Sequence, residues 1–599
     1  MPGQWKDPRV AFFEQLNDVV DTWSWGAGLS ERTGKYCEMF LIIRCIGSEL
    51  FDTSYASSLK ARPRIDPSFL MHSISNRLAE AIERRIPSRV KFATELLAKY
   101  GKISVYDMTV ENVMRGMCGL PSVLWEVSQT NEYGVKYHGK TLEQLDEILP
   151  KWPSSSQISP EAVIWFLFTA TVPSAEELHD LAADLCDRMQ LPDEVIAFCD
   201  GLSQDIPCCD QTILVLAVLS RHSKLSAAVE LNTPKQQLWR FALEDALDLM
   251  ARLVSISGRI FMNKFREGQA CNITPSRSAD LAQNLASMLG RTEDVQFIEL
   301  IRLYLALHMD HGANASAHTM RLCSSAWTDP YMTASAGLVA GIGALHAGAI
   351  SRSIRFQENI VSTLRLSASN EQIKAYVVKR LEKHKVIPGF GHALLAHRDP
   401  RLSFIERFIL QSNLEKGVQG RVAMTQKVNV IVPPLLTSYV PSMRNTAPNV
   451  DSMSGTVICS YNIPADFVLQ FMTCSRGFGF MTQFVWDKGS IFVPTALGVP
   501  LERPKSITMD ELMVLVKSQG SITKLPSLLR GCKGCARDSR ALYVDSGGGA
   551  TEDSETRVLF SISKNWAGVL CIIYSSPKDE YGGQPSSTGV LAIQPWTIF

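Results

Sequence analysis

Residues 288–319, MLGRTEDVQFIELIRLYLALHMDHGANASAHT, combine a helical period with a group of histidines. Apolar residues at 297, 300, 301, 304 and 305 follow the i, i+3, i+4, i+7 spacing of a helix with one buried face. His308 and His311 stand at the end of that face, and His318 comes further on. A histidine there is more often a hydrogen-bonded core residue than a ligand. The H-x-D-H spacing of residues 308–311 suggests a metal, but no cysteine or carboxylate cluster completes a ligand set, so we expect none.

The same helical period extends outward from this stretch in both directions. WRFALEDALDLMARLV (239–254) has apolar residues at 239, 242, 243, 246, 247, 250 and 253. SNEQIKAYVVKRLEKH (369–384) begins with Ser369 and Gln372 in capping-box spacing. AVIWFLFTATV (162–172) and ILVLAVL (213–219) are too short to cross a bilayer and predict buried helices. Few stretches alternate as strands do, so residues 73–520 predict an all-α fold.

Length and charge limit the kinds of partner. A chain of 599 residues predicts several lobes, and 46% hydrophobic with 20% charged residues is typical of a soluble globular protein. Lysine plus arginine equals aspartate plus glutamate, 60 against 60, so no overall field attracts nucleic acid or a membrane. We expect neither as a partner. Local bases must hold any anionic ligand.

The cysteines and the N-terminal sequence bear on the compartment. The 14 cysteines are scattered, which indicates free thiols in a reducing compartment. Cys532 and Cys535 form a lone C-x-x-C that could bind metal or cycle between redox states. The first 21 residues carry four acids, unlike a transit peptide. We therefore expect a cytoplasmic protein, with the mitochondrial matrix as the alternative.

Three further stretches place polar residues among turn formers. VIPGFGHALLAHRDPR (386–401) sets His392 in a Gly-rich turn, AGLVAGIGALHAGA (336–349) sets His346 among small residues, and APNVDSMSG (447–455) isolates Asp451. Each has an ordinary interpretation, because Gly, Pro and Asp-Pro form turns and Asp451 alone could cap a helix.

Together with GVPLERPKS (498–506), these stretches resemble the citrate synthase family, closest to its eukaryotic mitochondrial type. The resemblance covers roughly residues 73–520, in order and with few gaps. It implies a two-domain helical fold, with a large domain at 73–345 and 457–520 and a small domain at 346–456. Residues 1–72 form an unassigned N-terminal extension. Residues 521–599, rich in Ser, Gly and β-branched residues, predict a poorly ordered C-terminal extension.

The resemblance implies a reaction between oxaloacetate and an acyl-CoA, followed by hydrolysis of the thioester. By resemblance Asp451 removes the α-proton of the thioester, His346 donates to the enolate oxygen, and His392 polarises and protonates the ketone of oxaloacetate. A weakly acidic α-proton needs such a positioned carboxylate and an enolate donor. No metal and no cofactor is implied beyond the coenzyme A thioester itself.

Oxaloacetate is a dianion and needs bases with fork geometry. His311, Arg401 and Arg476 match the family's positions for that task. A family arginine supplied by the partner subunit falls at Lys488, which is followed by an apparent insertion, 489–495. The resemblance therefore implies a homodimer with shared active sites, and it leaves open whether Lys488 replaces the arginine.

The coenzyme side departs from the family pattern. One family arginine falls at Cys118, with Arg115 one turn earlier, and another falls at Ala396, with Arg398 two residues later. Lys235 and Arg444 are the other candidate bases for CoA. The family's aromatic beside the acyl group falls at Met472, which either makes room for a longer chain or is a neutral replacement.

These departures favour an alkylcitrate synthase of the kind that fungal secondary metabolism uses. The first alternative is ordinary citrate synthase using acetyl-CoA, and the second is an inactive paralogue.

Overall fold

The structure is a computed structural model that describes residues 73–106, 121–266, 274–412, 414, 416–489, 505–507, 556–561 and 570–575. The chain divides into two compact units, Met1–Gln519 and Gly520–Phe599. The predictions for 1–72, for Arg115 and Cys118, for most of the insertion after Lys488 and for the C-x-x-C at Cys532 fall outside the described residues.

Helices dominate the first unit. They are α1 (Ser73–Tyr100), α2 (Leu142–Ile148), α3 (Pro160–Thr169), α4 (Ala175–Arg188), α5 (Asp193–Asp200), α6 (Cys208–Leu219), α7 (Lys224–Glu230), α8 (Leu238–Phe265), α9 (Leu281–Met288), α10 (Val295–His308), α11 (Ala315–Ser325), α12 (Pro330–Gly341), α13 (Ala349–Leu364), α14 (Asn370–Leu381), α15 (Pro400–Gln411), α16 (Lys416–Tyr439), α17 (Ser454–Ser460) and α18 (Ala465–Gly489). Short 3-10 turns lie at Ser220–His222, Lys235–Gln237 and Val450–Ser452. The predicted all-α class is confirmed.

The described strands are short. In the first unit, β1 (Pro121–Leu124) pairs in parallel with β5 (Lys505–Ile507). An antiparallel sheet joins β2 (Ser128–Thr130), β3 (Val135–Tyr137) and β4 (Lys140–Thr141) in that order. In the second unit, β6 (Thr556–Ser561) pairs antiparallel with β7 (Leu570–Ser575), inside the segment that the sequence predicts to be poorly ordered.

The helical faces predicted from apolar spacing are buried as expected. Every predicted position from Phe297 to Leu305 in α10, and from Trp239 to Leu253 in α8, is buried. Ser369 caps α14 through a capping box with Gln372, as the spacing predicts. The apolar period thus locates both helices, although each is buried around most of its circumference and not along one face alone.

The largest hydrophobic core among the described residues is organised by α8 and α18, which pack along each other. α18 is buried along most of its length. At Gly479 the helix backbone approaches the end of α10 so closely that an added Cβ would stand 2.0 Å from the carbonyl oxygen of Met309. A glycine here lets α18 reach the turn that follows α10.

A smaller second core lies within α13, α14 and α16, around Phe356, Ile373 and Val428. The predicted small domain, 346–456, contains this core. However, Ile350 and Ile354 of α13 and the apolar face of α15 belong to the larger core. The domain boundaries at 346 and 456 therefore stay a prediction.

Within the described part of the chain, no single helix has the length and apolarity needed to cross a membrane. One pair of consecutive segments, Cys208–His222 and Lys224–Glu230, bent by 41°, meets that test by length and composition only.

Candidate active site

The turn after α10 is tied to the small sheet and holds His311. The Asp310 carboxylate accepts hydrogen bonds from the backbone N–H of His311 (2.6 Å) and from Nε1 of Trp125 (2.9 Å). The Tyr137 hydroxyl donates to the backbone carbonyl of Asp310 at 3.1 Å. Thr130 Oγ1 lies 3.5 Å from His311 Nδ1. Contacts from three separate segments therefore fix the turn that carries this imidazole.

The Gly-rich turn at 389–392 packs tightly against the segment that carries Asp451. Gly389 and Gly391 have φ of +85° and +76°, in the left-handed region that favours glycine. A Cβ at Gly389 would stand 2.8 Å from the Cα of Ser452, and one at Gly391 would stand 2.9 Å from the carbonyl oxygen of Asn445. Asn449 Nδ2 also donates to the Gly391 carbonyl at 2.8 Å. The glycines thus let His392 and Asp451 share one junction.

Hydrogen bonds within the turn determine which ring nitrogen of His392 carries hydrogen. His392 Nδ1 accepts from the backbone N–H groups of Leu394 (3.0 Å) and Leu395 (3.1 Å). A neutral imidazole with two donors on Nδ1 must hold its hydrogen on Nε2. His392 therefore has Nε2–H as its donor group.

Asp399 joins the Arg401 guanidinium to the Asp451 segment. Arg401 donates through Nε to Oδ1 (3.0 Å) and through Nη2 to Oδ2 (2.7 Å) of Asp399. The same carboxylate accepts from the backbone N–H of Val450 at 3.2 Å and caps α15. Although burial opposes the charge, the pairing with Asp399 raises the pKa of Arg401. Arg401 is therefore a permanently charged, oriented donor.

Arg476, in the middle of α18, is a buried cation with an N–H group that no described residue accepts from. Its side chain donates through Nε to the His308 carbonyl at 3.2 Å, and Nη1 has no hydrogen-bond partner among the described residues. Arg476 is 8% exposed, and burial lowers its pKa. A guanidinium held like this is suited to an anionic ligand.

Asp451 lies in the 3-10 turn that precedes α17, and it does not cap a helix. Asn449 is the capping residue, since its side chain accepts from the backbone N–H of Asp451 at 3.0 Å. Burial raises the pKa of Asp451 to about 6, with Arg401 lowering it in part. A carboxylate with a pKa this close to neutrality is suited to a general base.

His346 follows α12 and contacts Ser316 at the start of α11. Its Nε2 is 2.8 Å from Ser316 Oγ, which also lies 2.7 Å from Asn314 Oδ1. The hydroxyl has one hydrogen, so it can donate to either neighbour but not to both. When it donates to Nε2, the neutral imidazole carries its hydrogen on Nδ1.

Electrostatics and ring contacts bring these residues into one group. The rings of His311 and His392 lie 5.2 Å apart between centroids. Burial lowers the pKa of His311 well below its usual value, and Arg401, His392, Arg476 and His346 lower it further. The structure therefore brings four predicted residues around His311, and Asp451 joins them through its interaction with Arg401.

Met472 lies on the same helix as Arg476. It lies four residues before Arg476 on α18, which puts the two on one helix face. Its side chain is buried, with 7% exposed. The acyl-pocket role of Met472 stays a prediction.

Lys488 lies apart from the group, roughly 18 Å along α18 from Arg476 at 1.5 Å per residue. Its ammonium donates to the Ser324 carbonyl and stands over the rings of Trp327 (4.4 Å) and Phe484 (4.8 Å). Burial lowers the pKa of Lys488 to about 8. Within this chain the cation serves internal contacts, and the structure does not bring it to the predicted oxaloacetate residues.

The coenzyme-side candidates are spread out and exposed. Arg398 forms an ion pair with Glu406, with 47% of its own side chain exposed. Arg444 is close to it, because the adjacent Asn445 donates to the carbonyls of Leu395 (2.7 Å) and His397 (3.0 Å). Lys235 lies separately, in the exposed 3-10 turn before α8. Two of the three described bases therefore share one surface.

Sequence reasoning missed three residues that hold the site together: Asp399, Asn449 and Ser316. Asp399 had a signal, since an Asp before Pro predicts a helix cap. Asn449 stands two residues before Asp451 in a turn, as Asx caps do. For Ser316 the sequence carries no signal, because its contact with His346 spans 30 residues of chain.

The arrangement combines an anion site, a carboxylate base and two imidazoles that can donate hydrogen bonds. The Arg401 and Arg476 guanidinium groups can each bind one carboxylate of a dianion. The Asp451 carboxylate can accept a proton. Such a set supports the removal of a proton from a carbon atom of one substrate. The resulting carbanion can then add to the carbonyl group of a second, anionic substrate.

Comparisons with known proteins agree on one family. The family model "Citrate synthase, C-terminal domain" matches residues 116–505. The peroxisomal citrate synthase of Saccharomyces cerevisiae is 32% identical over 444 residues, 74% of this chain and 94% of that protein. The mitochondrial 2-methylcitrate synthase of Fusarium solani is 32% identical over 448 residues, 74% and 93%.

Solved structures carry the same fold. The citrate synthase of Thermoplasma acidophilum, in a ternary complex with carboxymethyl coenzyme A and oxaloacetate, aligns with a TM-score of 0.53 and 18% identity. The alignment covers 67% of this chain and 99% of that one.

Proposed function

The chain belongs to the citrate synthase family, and we propose that it is an alkylcitrate synthase, which condenses oxaloacetate with an acyl-CoA longer than acetyl-CoA. The coarser activity, a condensing acyltransferase of the citrate synthase type, follows from family membership. The observation that carries the proposal is the group around His311, where two buried arginines, two further histidines and a carboxylate of raised pKa meet.

Oxaloacetate binds first in the proposed mechanism. Arg476 offers its unpaired Nη1 to one carboxylate, and Arg401, with Nε and Nη2 held by Asp399, offers Nη1. His311 is kept neutral by burial and by the cations around it, so it adds a hydrogen bond rather than a charge. A site with two fixed cations matches a dianion.

Proton abstraction from the thioester follows. The Asp451 carboxylate takes the α-proton, and His346 donates a hydrogen bond to the enolate oxygen. That donor role requires hydrogen on the ring nitrogen that faces the substrate. For Nδ1 to carry that hydrogen, the Ser316 hydroxyl must donate to His346 Nε2 and not to Asn314 Oδ1.

Condensation then forms a bond between the enolate carbon and the ketone carbon of oxaloacetate. The ketone oxygen takes the proton from Nε2 of His392, whose tautomer is fixed by Leu394 and Leu395. Water subsequently cleaves the thioester and releases free CoA. The mechanism uses no group beyond the two substrates and these side chains.

Met472 supports the preference for a longer acyl chain. Methionine is slimmer and more adaptable than an aromatic ring, and Met472 lies on the helix face that carries Arg476. Each additional buried methylene contributes about 0.8 kcal/mol, nearly fourfold in preference. A pocket for four more carbons would favour hexanoyl-CoA over acetyl-CoA by roughly two orders of magnitude.

Ordinary citrate synthesis is the second candidate, since the relatives include citrate synthases as well as 2-methylcitrate synthases. The test is kcat/KM for acetyl-, propionyl- and hexanoyl-CoA with oxaloacetate, read as release of free CoA. The parent should prefer the longer thioesters, and Met472→Phe should shift selectivity towards acetyl-CoA. A strong preference of the parent for acetyl-CoA would establish citrate synthesis instead. Release of no CoA from any thioester would indicate an inactive paralogue.

A homodimer is also part of the proposal. The structure supports it through an apolar surface and not through the position of Lys488, from which the sequence implied it. α6 has apolar residues on both faces: Val215 and Leu216 are buried, while Ile213, Leu214 and Val218 are partly exposed. α12 packs beside it and exposes Met332 and Val339. An apolar face of this kind fits a subunit interface. Light scattering should give twice the monomer mass.

The cellular compartment is the last part of the proposal. The relatives named above are a peroxisomal and a mitochondrial protein, which gives the cytoplasmic prediction no support. We therefore place the matrix alternative first. Fractionation of cells with an antibody to the chain would decide it.

A further inference from the structure

A cavity of about 680 Å³ lies between α13, α16 and α17, outside the group around His311. Its lining combines apolar, polar and charged side chains, among them Ile354, Gln357, Val361, Arg365, Arg421 and Thr425. None of these residues has a role in the mechanism above.

The inner end of the cavity holds a buried amide. Gln357 is 3% exposed, and neither its amide oxygen nor its amide nitrogen has a hydrogen-bond partner among the described residues. The neighbouring Thr425 is 1% exposed, and its hydroxyl donates to the Arg421 carbonyl at 3.1 Å. Buried polar groups are almost always hydrogen-bonded, so an unpaired amide lining a cavity points to a polar atom of a ligand.

The outer end of the cavity carries positive charge. Arg365 and Arg421 are exposed and have no ion-pair partner among the described residues, while Glu358 contributes one negative charge. The balance is one net positive charge, which suits a single carboxylate. Arg365 lies eight residues beyond Gln357, so the two ends are separated by roughly 12 Å along α13. The apolar part of the cavity wall is formed by Ile354, Val361 and Leu366.

The two helices that form the walls also support the proposed catalytic residues. α13 begins at Ala349, three residues after His346, and α17 begins at Ser454, three residues after Asp451. Ser353 of α13 abuts the His392 turn, since a Cβ at Gly389 would stand 2.8 Å from its Oγ. A molecule wedged between these helices would restrain all three segments.

We propose that this cavity is a regulatory site for a small amphipathic monocarboxylate with a hydroxyl at its far end. The carboxylate pairs with Arg365 and Arg421, the chain lies along the apolar wall, and the hydroxyl bonds to the Gln357 amide. Occupancy fixes α13 against α17 and slows turnover.

The binding experiment uses the full chain and three probes: 8-hydroxyoctanoate, octanoate and neutral octanol. Isothermal titration should give saturable binding in the order hydroxy acid, then acid, then alcohol. The double variant Arg365→Gln/Arg421→Gln should weaken binding of the hydroxy acid by roughly tenfold or more, because charged hydrogen bonds are lost. Gln357→Leu should abolish the preference for the hydroxy acid over octanoate.

Arg355→Gln is the matched control, since Arg355 is an exposed arginine of the same helix that does not line the cavity. It should bind as the parent does. The site assignment fails if no probe binds saturably, or if Arg355→Gln loses as much affinity as the double variant.

The regulatory part rests on the proposed function and is measured separately. With saturating substrates, 8-hydroxyoctanoate should lower kcat at least twofold in the parent and leave the Arg365/Arg421 double variant unchanged. Binding with no change in kcat would overturn the regulatory role. An inactive parent that still binds the probe would refute the proposed function and leave the binding site standing.

Discussion

The two sides of the proposed active site are built in different ways. On the oxaloacetate side, His311, Arg401 and Arg476 are each at most 8% exposed and are tied to several segments by hydrogen bonds. On the coenzyme side, Lys235, Arg398 and Arg444 are exposed. A buried dianion requires bases at fixed atoms, whereas long exposed side chains can reach a phosphate from several positions.

This difference fits the departure from the family pattern at Ala396 on the exposed coenzyme side, whereas His311, Arg401 and Arg476 keep that pattern in the buried group. A basic residue that moves by one turn along an exposed surface costs little binding free energy, because a long side chain still reaches the ligand. A basic residue that moves within the buried group loses its hydrogen-bond partners. The difference can be tested by comparing substitutions on the two sides, and the largest effect should come from the carboxylate between them.

Asp451→Asn keeps the shape of the side chain and removes the base. We expect kcat to fall by roughly 10²–10⁴-fold, the usual loss for a general base, while oxaloacetate still binds. Because burial opposes the charge of Asp451, the variant should unfold at no lower temperature than the parent. Free-CoA release, oxaloacetate calorimetry and a melting curve together test this. Parental turnover in the variant would remove Asp451 from the mechanism.

Arg476→Lys and Lys488→Met compare two buried cations on the same helix. Arg476→Lys should lower kcat/KM for oxaloacetate by roughly 10–100-fold, since hydrogen bonds to a charged group contribute about 1.5–3 kcal/mol. Lys488→Met should leave that constant within about twofold, because the ammonium contacts Ser324 and Trp327 instead.

A large loss of oxaloacetate affinity in Lys488→Met would contradict the internal role that its contacts indicate. It would show that the cation acts on a neighbouring subunit. Parental kinetics in Arg476→Lys would mean that the unpaired Nη1 does not meet the substrate.

The acid limb of the pH profile should follow Asp451. Its pKa is raised to about 6, so the reactive carboxylate is lost as pH falls through that value. At pH 5 we expect kcat/KM to lie about tenfold below its plateau, since one protonation changes the rate tenfold per pH unit. The profile should be measured with the parent and with Asp451→Asn. If the same limb persists in the variant, another group is responsible for it.

Much of this architecture could be predicted from the sequence, and the limits have physical causes. The apolar period of α8 and α10 located positions that are buried, but both helices are buried well beyond the one face that the period predicts. Ordered motifs placed His311, His346, His392, Arg401, Asp451 and Arg476 in one group, as observed.

The remaining features depend on contacts between distant segments. The tautomer of His392 follows from two backbone N–H groups in a folded turn, and Asp399 links Arg401 to Val450 across 51 residues of chain. The sequence assigns Lys488 to the oxaloacetate site from its position beside an insertion. That position does not reveal the Trp327 and Phe484 rings that lie against its ammonium group. Burial and long-range hydrogen bonds have no local signature in sequence.

The smallest effects should come from the coenzyme side. Exposed ion pairs contribute about 0.2–1 kcal/mol each, so the loss of two in Arg398→Gln/Arg444→Gln should raise KM for acyl-CoA by roughly 2–30-fold. KM for oxaloacetate should not change, since the buried bases remain in place. Added salt should raise KM for acyl-CoA in the parent more than in the double variant, because salt screens the same charges. Lys235→Gln separates the two surfaces: an effect equal to that of the double variant would extend the coenzyme site to the turn before α8, and parental KM would confine it to the Arg398–Arg444 surface.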